Sequence, residues 1–280
     1  MVKVKKLKGK GSRIAKAYAF EDESSGMIHE QLARLKFAES LIDMKGKRIL
    51  DFGCGTGYDS YYISKRQSPE LVVGLDILEE SIAYCKRHHS TSKTKYYVQD
   101  CLVHNPKFGL FDVVISCEVI EHVADQRLFL EVLRRYLQPD GVAFISTPNK
   151  ALFSLTKEKS FINQTHVKEL FFEEFRELVS NIFSVCKVYS QVHKPAWHSA
   201  YVNYLCASNL VYALRYEIFR DNILGKIASP IGKCVLYAPI FIIKPRKYLD
   251  VRNRRYTDFK FVEGYDNRAI WFVGICSNPL

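Results

Sequence analysis

The chain has 280 residues, of which 48% are hydrophobic, and its formal net charge is +11. This length fits one large domain, or one domain with an insertion, and the apolar content excludes a globally disordered chain. The eight cysteines form no C-x-x-C pair and several stand in apolar stretches, so we expect reduced, buried thiols rather than a disulfide framework or a zinc site. No signal peptide or membrane-spanning stretch is recognisable, which predicts a cytoplasmic protein.

Basic residues give the chain its positive charge, and many of them stand in three clusters, at residues 3–10, 244–247 and 252–255. One interpretation is a solvated basic face. The other is a surface for an anionic partner such as RNA, a phosphorylated sugar or a membrane surface. The first cluster lies within a polar segment, residues 1–26, which we predict to be a basic N-terminal tail.

An amphipathic helix is predicted over residues 27–45, because apolar side chains recur there with the helical period. Strands and helices then alternate as far as residue 193, a pattern that predicts a parallel sheet with right-handed crossovers. The clearest crossover helices are predicted at 79–89, 126–137 and 170–181. Residues 196–265 break this rhythm, and a final strand is predicted at 269–276.

A glycine-rich turn follows the first predicted strand, with glycines at 53, 55 and 57 after Asp51. Glycine allows positive φ and close approach of a ligand, and the start of the next helix offers unpaired N–H groups. The spacing fits neither the G-x-G-x-x-G of dinucleotide sites nor a P-loop, because no glycine stands at the third required position and no Lys-Ser or Lys-Thr pair follows. An acid at the strand end suits a cationic, amine-bearing ligand.

This turn resembles motif I of the class I S-adenosylmethionine-dependent methyltransferases, and the next segments resemble that family in order. Strand 2 would end in Asp76 and strand 3 in Asp100. Strand 4 would span residues 111–117, and strand 5 would follow the turn at 138–142. Four motifs in the right order are a more specific signal than a lone glycine-rich turn.

The resemblance implies an α/β fold, with a Rossmann-like seven-stranded sheet, helices on both faces and an insertion before the last strand. Residues 27–195 and 266–280 would then form the methyltransferase domain. The last strand would lie antiparallel between two others. Residues 196–265 would form the insertion, a subdomain on the substrate side.

The same resemblance implies S-adenosylmethionine as the cofactor. The glycines would cradle its methionine portion, with Asp51 near the ammonium group. Asp76 would hold the ribose hydroxyls, and Asp100 would lie beside the adenine. The full set of expected cofactor residues is Asp51, Gly53, Cys54, Gly55, Gly57, Asp76, Ile77, Asp100, Cys101 and Cys117.

His122 follows strand 4, where the sulfonium methyl group lies in the family fold. An imidazole has a pKa near neutrality and can take a proton from an attacking hydroxyl, so His122 is the expected general base, with Glu118 beside it. The alternative is that both residues only shape the pocket, because methyl transfer from a sulfonium often needs only proximity and in-line orientation.

A divalent metal ion is a further hypothesis. Glu118, Glu121 and His122 form an E-x-x-E-H cluster, and His166 precedes a later helix. This set resembles the ubiquinone-pathway O-methyltransferases and the small-RNA 2′-O-methyltransferases, in which two Glu and two His hold the ion. Carboxylate and imidazole together suit Mg²⁺, Mn²⁺ or Zn²⁺. Many methyltransferases of sugar and natural-product pathways carry the same cluster without a known metal, so the hypothesis stays open.

We therefore predict a methyltransferase that acts on a hydroxyl of a small metabolite or of a sugar-linked substrate. A hydroxyl, unlike an amine, needs proton removal or metal activation, and this site offers both. RNA is the alternative acceptor, and a non-catalytic S-adenosylmethionine-binding partner subunit is the alternative of another class. Residues 146–150 are expected either at the pocket edge or in an ordinary turn. His29 and Arg34 on the first helix are expected on the solvated surface, and the alternative is that they help close the cofactor site.

Overall fold

One sheet of eight strands runs through the part of the chain that the computed structural model describes, residues 26–153, 165–193 and 259–278. The strands are β1 (Arg48–Phe52), β2 (Leu71–Asp76), β3 (Thr94–Val98), β4 (Phe111–Cys117), β5 (Leu137–Pro148), β6 (Val185–His193), β7 (Phe259–Glu263) and β8 (Trp271–Ser277). In space their order is β3-β2-β1-β4-β5-β8-β6-β7. The first five are mutually parallel, β8 is antiparallel to both β5 and β6, and β7 is antiparallel to β6.

Helices connect these strands and cover the sheet. They are α1 (Gly26–Leu41), α2 (Tyr58–Arg66), α3 (Glu79–His88), α4 (Gln126–Arg135), α5 (Lys150–Phe153) and α6 (Phe172–Ser180). The crossover helices that the sequence predicts are confirmed as α3, α4 and α6. The first predicted helix ends earlier than expected, at Leu41, although Ile42 and Met44 beyond it stay buried in the core.

Apolar side chains cover both faces of the sheet, as a parallel sheet between helices requires. Neighbouring residues of a strand point to opposite faces. Leu50 and Val114 therefore pack in the cluster that includes α4, whereas Ile49 and Val113 pack in the cluster that includes α1. This double burial explains the continuous apolar runs of the central strands, and it holds their carboxyl ends in a fixed arrangement.

The described sheet has one strand more than the seven predicted. The additional strand, β7, pairs with β6 at the edge of the sheet and lies inside the range 196–265, which the sequence predicts as an insertion. The predicted place of the last strand, antiparallel between two others, is confirmed by β8. Residues 196–258 of the predicted insertion and residues 1–25 of the predicted tail lie outside the described residues. No helix among those described is long and apolar enough to cross a membrane.

The prediction of reduced thiols is wrong for two cysteines. Cys186 on β6 and Cys276 on β8 stand directly opposite each other, with Cα atoms 4.2 Å apart, and form a disulfide. They are 90 residues apart in sequence, so only the pairing of the strands brings them together, and no spacing rule reveals it. The cysteines that stay free in the described residues are Cys54, Cys85, Cys101 and Cys117.

Candidate active site

The candidate site residues gather at one edge of the sheet, where the carboxyl ends of the parallel strands meet. The strand order reverses between β1 and β4, since β1 continues to β2 on one side and β4 continues to β5 on the other. Such a switch point opens a crevice between the loops that leave the two strands, and ligands of open α/β sheets bind there. The glycine-rich turn leaves β1, and the segment from Glu118 to His122 leaves β4.

The glycine-rich turn folds back onto β2, because the N–H groups of Gly53 and Cys54 donate to the carbonyl oxygen of Leu75, at 2.8 and 2.9 Å. Gly53 has a φ of +86°, and a Cβ there would lie 2.5 Å from Cγ2 of Val119, so only glycine fits. Gly55 differs, since no described atom lies within 4 Å of where its Cβ would be. The turn is therefore packed on one side and open on the other, as a ligand cradle requires.

Asp76 fixes this turn to the end of β2. Its Oδ2 accepts a hydrogen bond from the N–H of Gly55 at 2.9 Å, and its Oδ1 accepts one from the N–H of Leu78 at 2.8 Å. Asp100, beyond the end of β3, is exposed at the same edge. The other expected cofactor residues include Ile77, which is exposed, Cys117, which is half-buried, and Cys54 and Cys101, which are buried.

Asp51 is the last residue but one of β1 and is buried beside the turn. Its Oδ2 accepts hydrogen bonds from the N–H and the hydroxyl of Ser60, at 3.1 and 2.6 Å, so the carboxylate lies at the start of α2. Burial, and after it the charge of Asp59, raises the pKa of Asp51 to about 8. Burial also raises the pKa of Asp59 to about 6, against the opposing charge of Arg34. Buried acids that are costly to ionise favour a cationic ligand beside them.

Arg34 is buried, so the expectation that it lies on the solvated surface is wrong. Its Nη1 donates to Oε1 of the buried Gln191 at 3.1 Å, and its guanidinium lies over the ring of Trp271, with Cζ 5.0 Å from the ring centre. Among the described residues, Nε of Arg34 has no hydrogen-bond partner. A buried cation whose bonded partner is a neutral amide favours an anionic ligand.

Glu118 is held away from the histidines of the predicted metal site. Its backbone adopts a φ of +57°, a left-handed conformation that is uncommon outside glycine. Its Oε1 accepts from the hydroxyl of Ser146 at 3.1 Å, and its Oε2 accepts from the indole Nε1–H of Trp271 at 2.7 Å. Because Arg34 covers the same indole, Glu118 and Arg34 are linked through Trp271.

Glu121, His122 and His166 come together, although α4 and β5 separate the two histidines in sequence. One ligand atom of each lies within 4.8 Å of the others, and Nε2 of His122 is 4.0 Å from Oε1 of Glu121. The imidazole rings meet edge to face, with centres 4.7 Å apart. The structure therefore assembles three of the four predicted metal ligands, and Glu118 is not among them.

The electrostatics of this cluster suit a cation. Glu121 is fully buried; its Oε2 accepts from the hydroxyl of Thr147 at 3.3 Å, and within the described residues its Oε1 has no hydrogen-bond partner. Burial, and after it the charge of Glu118, raises the pKa of Glu121 well above its usual range. Burial and the neighbouring His166 lower the pKa of His122, which is exposed on one side. A neutral imidazole is the form that binds a metal or accepts a proton.

Several contributors to the site carry no sequence signal that would have identified them. Gln191 and Trp271 lie on β6 and β8, and only the sheet order brings them to Arg34. Glu169 contacts Nδ1 of His166 and follows it by three residues, a spacing that could have suggested the pair. Directly after β5, Asn149 donates to the carbonyl oxygen of Ala269 and fixes the turn to the segment before β8, while the two residues before Pro148 bond to acids of the site.

The known proteins that this chain resembles are methyltransferases. A sequence model described as a methyltransferase domain matches residues 43–200. The chain is 33% identical over 119 residues to a ubiquinone biosynthesis O-methyltransferase of Coxiella burnetii, covering 42% of this chain and 50% of the relative. It is 30% identical over 146 residues to the protein of the same description from Neisseria meningitidis, covering 50% of this chain and 61% of the relative. The chain thus spans little more than half the length of these curated relatives.

A solved structure has the same architecture as the described part of the chain. It is an S-adenosylmethionine-dependent methyltransferase of Thermotoga maritima, described as a possible histamine N-methyltransferase. The match covers 95% of this chain and 99% of that one, with a TM-score of 0.56 and 14% sequence identity. At this identity the likeness confirms the fold alone.

Proposed function

This chain belongs to the methyltransferase domain family, and we propose that it transfers a methyl group from S-adenosylmethionine to a hydroxyl of a small metabolite or a sugar-linked substrate. The observation that carries the proposal is the cluster of Glu121, His122 and His166 beside the switch-point crevice. An acceptor hydroxyl must lose its proton, and this cluster supplies the groups that make the loss easier. The curated O-methyltransferase relatives support the same choice of acceptor.

The cofactor would lie along the glycine-rich turn. The open face of Gly55 would admit the methionine portion, and the carboxylate of Asp76, at the end of β2, would hold the ribose hydroxyls. Asp100, exposed beyond β3, would lie beside the adenine amino group. The ammonium and sulfonium charges of the cofactor would face the buried acids Asp51 and Asp59, because opposite charges attract.

Arg34 would bind the carboxylate of the methionine portion. Its guanidinium is buried, and the negative charges of Glu118, Glu30 and Asp59 raise its pKa against the cost of burial. S-adenosylmethionine carries one carboxylate, and a guanidinium with an unused N–H is a suitable donor for it. Gln191 and Trp271 hold the guanidinium in place before the cofactor arrives.

The acceptor side fits a divalent ion. The donors are two imidazoles and the buried Oε1 of Glu121, which has no hydrogen-bond partner among the described residues and would gain one ligand bond. Bound there, Mg²⁺, Mn²⁺ or Zn²⁺ would lower the pKa of the acceptor hydroxyl and orient it. Glu121, His122 and His166 would hold the ion, and Thr147 would keep Oε2 of Glu121 in place.

Nε2 of His122 could serve as a metal ligand or as the general base, but not as both at once. With its proton on Nδ1, His122 donates to the carbonyl oxygen of Thr165 at 3.1 Å, and Nε2 is then its reactive atom. Nε2 cannot hold an ion and accept a proton at the same time. We assign it the ligand role, with the acceptor proton released to solvent at the exposed side of the ring. If no ion is required, Nε2 of His122 is the base instead.

Methyl transfer from radiolabelled S-adenosylmethionine tests the proposal. The acceptors are a catechol, a panel of hydroxylated glycosides and a short single-stranded RNA, each with chelated protein and with added Mn²⁺. We expect turnover of a small hydroxyl acceptor that is lost on chelation and restored by Mn²⁺. Full activity after chelation, with no response to added ions, rules out the metal. Absence of S-adenosylmethionine binding by calorimetry overturns the whole proposal.

RNA is the second candidate acceptor, and the net charge of +11 favours it. The three basic clusters lie outside the described residues, so their arrangement does not enter the argument. An RNA substrate predicts binding that weakens steeply with salt and methylation of RNA in preference to the small acceptors. A cofactor-binding subunit without catalysis predicts S-adenosylmethionine binding with no turnover of any acceptor in the panel.

A further inference from the structure

We propose that Glu169 is a positioning residue that orients His166 so that its Nε2 serves the cluster with Glu121 and His122. Glu169 is not itself a member of that cluster, whose ligand atoms come from the other three residues. The proposal rests on the metal-assisted function proposed above and extends it to the residues that support the ligands.

The contact between Glu169 and His166 is buried. Oε1 of Glu169 accepts a hydrogen bond from Nδ1 of His166, and 0% of the Glu169 side chain and 7% of the His166 side chain are exposed. A carboxylate that accepts from Nδ1–H fixes the tautomer of the imidazole and leaves the Nε2 lone pair as the metal-binding atom. The negative charge also raises the basicity of that lone pair.

His122 is oriented in the same way by a neighbouring group. Nδ1 of His122 lies 3.1 Å from the carbonyl oxygen of Thr165 and 3.2 Å from its hydroxyl, and with the proton on Nδ1 the ring donates to the carbonyl, which can only accept. Nε2 of His122 then lies 4.0 Å from Oε1 of Glu121. Residues 165–169 therefore hold both imidazoles by Nδ1, one through a backbone carbonyl and one through a carboxylate.

Residues 165–169 are themselves fixed to the turn that carries Glu121. The N–H groups of Val167 and Lys168 donate to the carbonyl oxygen of Glu121, at 2.8 and 3.1 Å. The buried amide of Gln126 donates from Nε2 to the carbonyl of Lys168 at 2.8 Å. Backbone hydrogen bonds thus fix the position of the segment that carries Glu169 relative to Glu121. The carboxylate of Glu169 can therefore hold His166 with the accuracy that a metal ligand needs.

Calorimetric titration of the chelated full-length protein with Mn²⁺ tests the proposal. Glu169→Gln keeps an acceptor and removes the charge, whereas Glu169→Ala removes both. We expect Mn²⁺ to bind about tenfold more weakly to the first and about a hundredfold more weakly to the second. Glu177→Gln, the same chemical change at an exposed position on α6, is the matched control and should behave like the parent. S-adenosylhomocysteine should bind all four proteins alike, which shows that each is folded.

Unchanged Mn²⁺ affinity in Glu169→Ala overturns the proposal. If the parent itself binds no Mn²⁺, the metal-assisted function fails, and the positioning role is then decided by a second measurement. Nitrogen-15 NMR of selectively labelled histidines in the metal-free parent should find His166 with its proton on Nδ1. We expect Glu169→Gln to lower the population of that tautomer. A parent His166 protonated on Nε2 alone contradicts the positioning role whatever the metal result.

Discussion

The two halves of the crevice are built in different ways. The cofactor half consists of the turn at residues 53–57 with Asp76 and Asp100, each at the end of its own strand or just beyond it. The acceptor half consists of residues 118–122 and 165–169, which meet only because the later segment docks on the backbone of Glu121. The cofactor half follows from the local chain, since parallel strands deliver their carboxyl ends to one edge. The acceptor half depends on contacts between segments that are distant in sequence.

Glu121→Gln should give the largest effect, and it should fall on the acceptor half alone. Loss of the charge that would hold the ion should lower the methyl-transfer rate about a thousandfold, or about 4 kcal/mol. S-adenosylmethionine should still bind within about twofold of the parent in calorimetry. Glu118→Gln is the comparison, and its Mn²⁺ affinity should stay within about threefold, because Glu118 bonds to Trp271 instead. An equal loss of Mn²⁺ binding in both variants would contradict a three-residue cluster.

Asp76→Ala should do the reverse and break the cofactor half. It removes the expected ribose contact and two backbone hydrogen bonds that shape the turn, so S-adenosylmethionine should bind at least about a hundredfold more weakly, or about 3 kcal/mol. Mn²⁺ affinity should be unchanged. Asp140→Ala, at an exposed position, is the control. Loss of Mn²⁺ binding together with the cofactor would show that the two halves do not work independently.

Arg34→Met should have an intermediate effect that depends on the ligand. Loss of a charge-assisted contact to the methionine carboxylate should weaken S-adenosylmethionine binding about 10- to 30-fold. Methylthioadenosine has no carboxylate, so its affinity should not change. Arg66→Met, exposed at the end of α2, is the control. If both ligands lose affinity equally, Arg34 supports the fold and does not bind the cofactor.

Asp51→Asn should give the smallest effect, seen in the pH dependence of stability without cofactor. The folded state raises the pKa of Asp51 from 3.8 to about 8, so its contribution is fully present below about pH 4 and is lost as the pH rises towards 8. The asparagine variant escapes this loss, so its melting temperature relative to the parent should increase from pH 4 to pH 8. A constant difference between the two proteins would contradict the raised pKa.

Much of the cofactor half could be predicted because its signals are local. A strand that ends in Asp51, a glycine-rich turn and an acid after each of the next two strands require only short stretches of chain. All three proposed metal ligands, Glu121, His122 and His166, were also predicted, but Glu118 was predicted with them and does not join their cluster. Its direction depends on one backbone angle and on the indole of Trp271, which lies far away in sequence.

The errors share one physical origin. Arg34, the disulfide between Cys186 and Cys276, and the additional strand β7 all depend on the pairing of β6, β7 and β8. That pairing joins segments on either side of residues 196–258, and composition or period cannot specify it. Local patterns predict which elements form, whereas the register between distant strands decides which side chains meet.

The left-handed backbone at Glu118 has a consequence for engineering the protein. A non-glycine residue with this φ costs the fold of order 1 kcal/mol, so a screen for thermostability alone would favour glycine at position 118. Glycine would also delete the carboxylate that bonds to Ser146 and Trp271, and with it the link to the guanidinium of Arg34. Variants selected for heat resistance should therefore be assayed for cofactor affinity, because at this residue the two properties are expected to diverge.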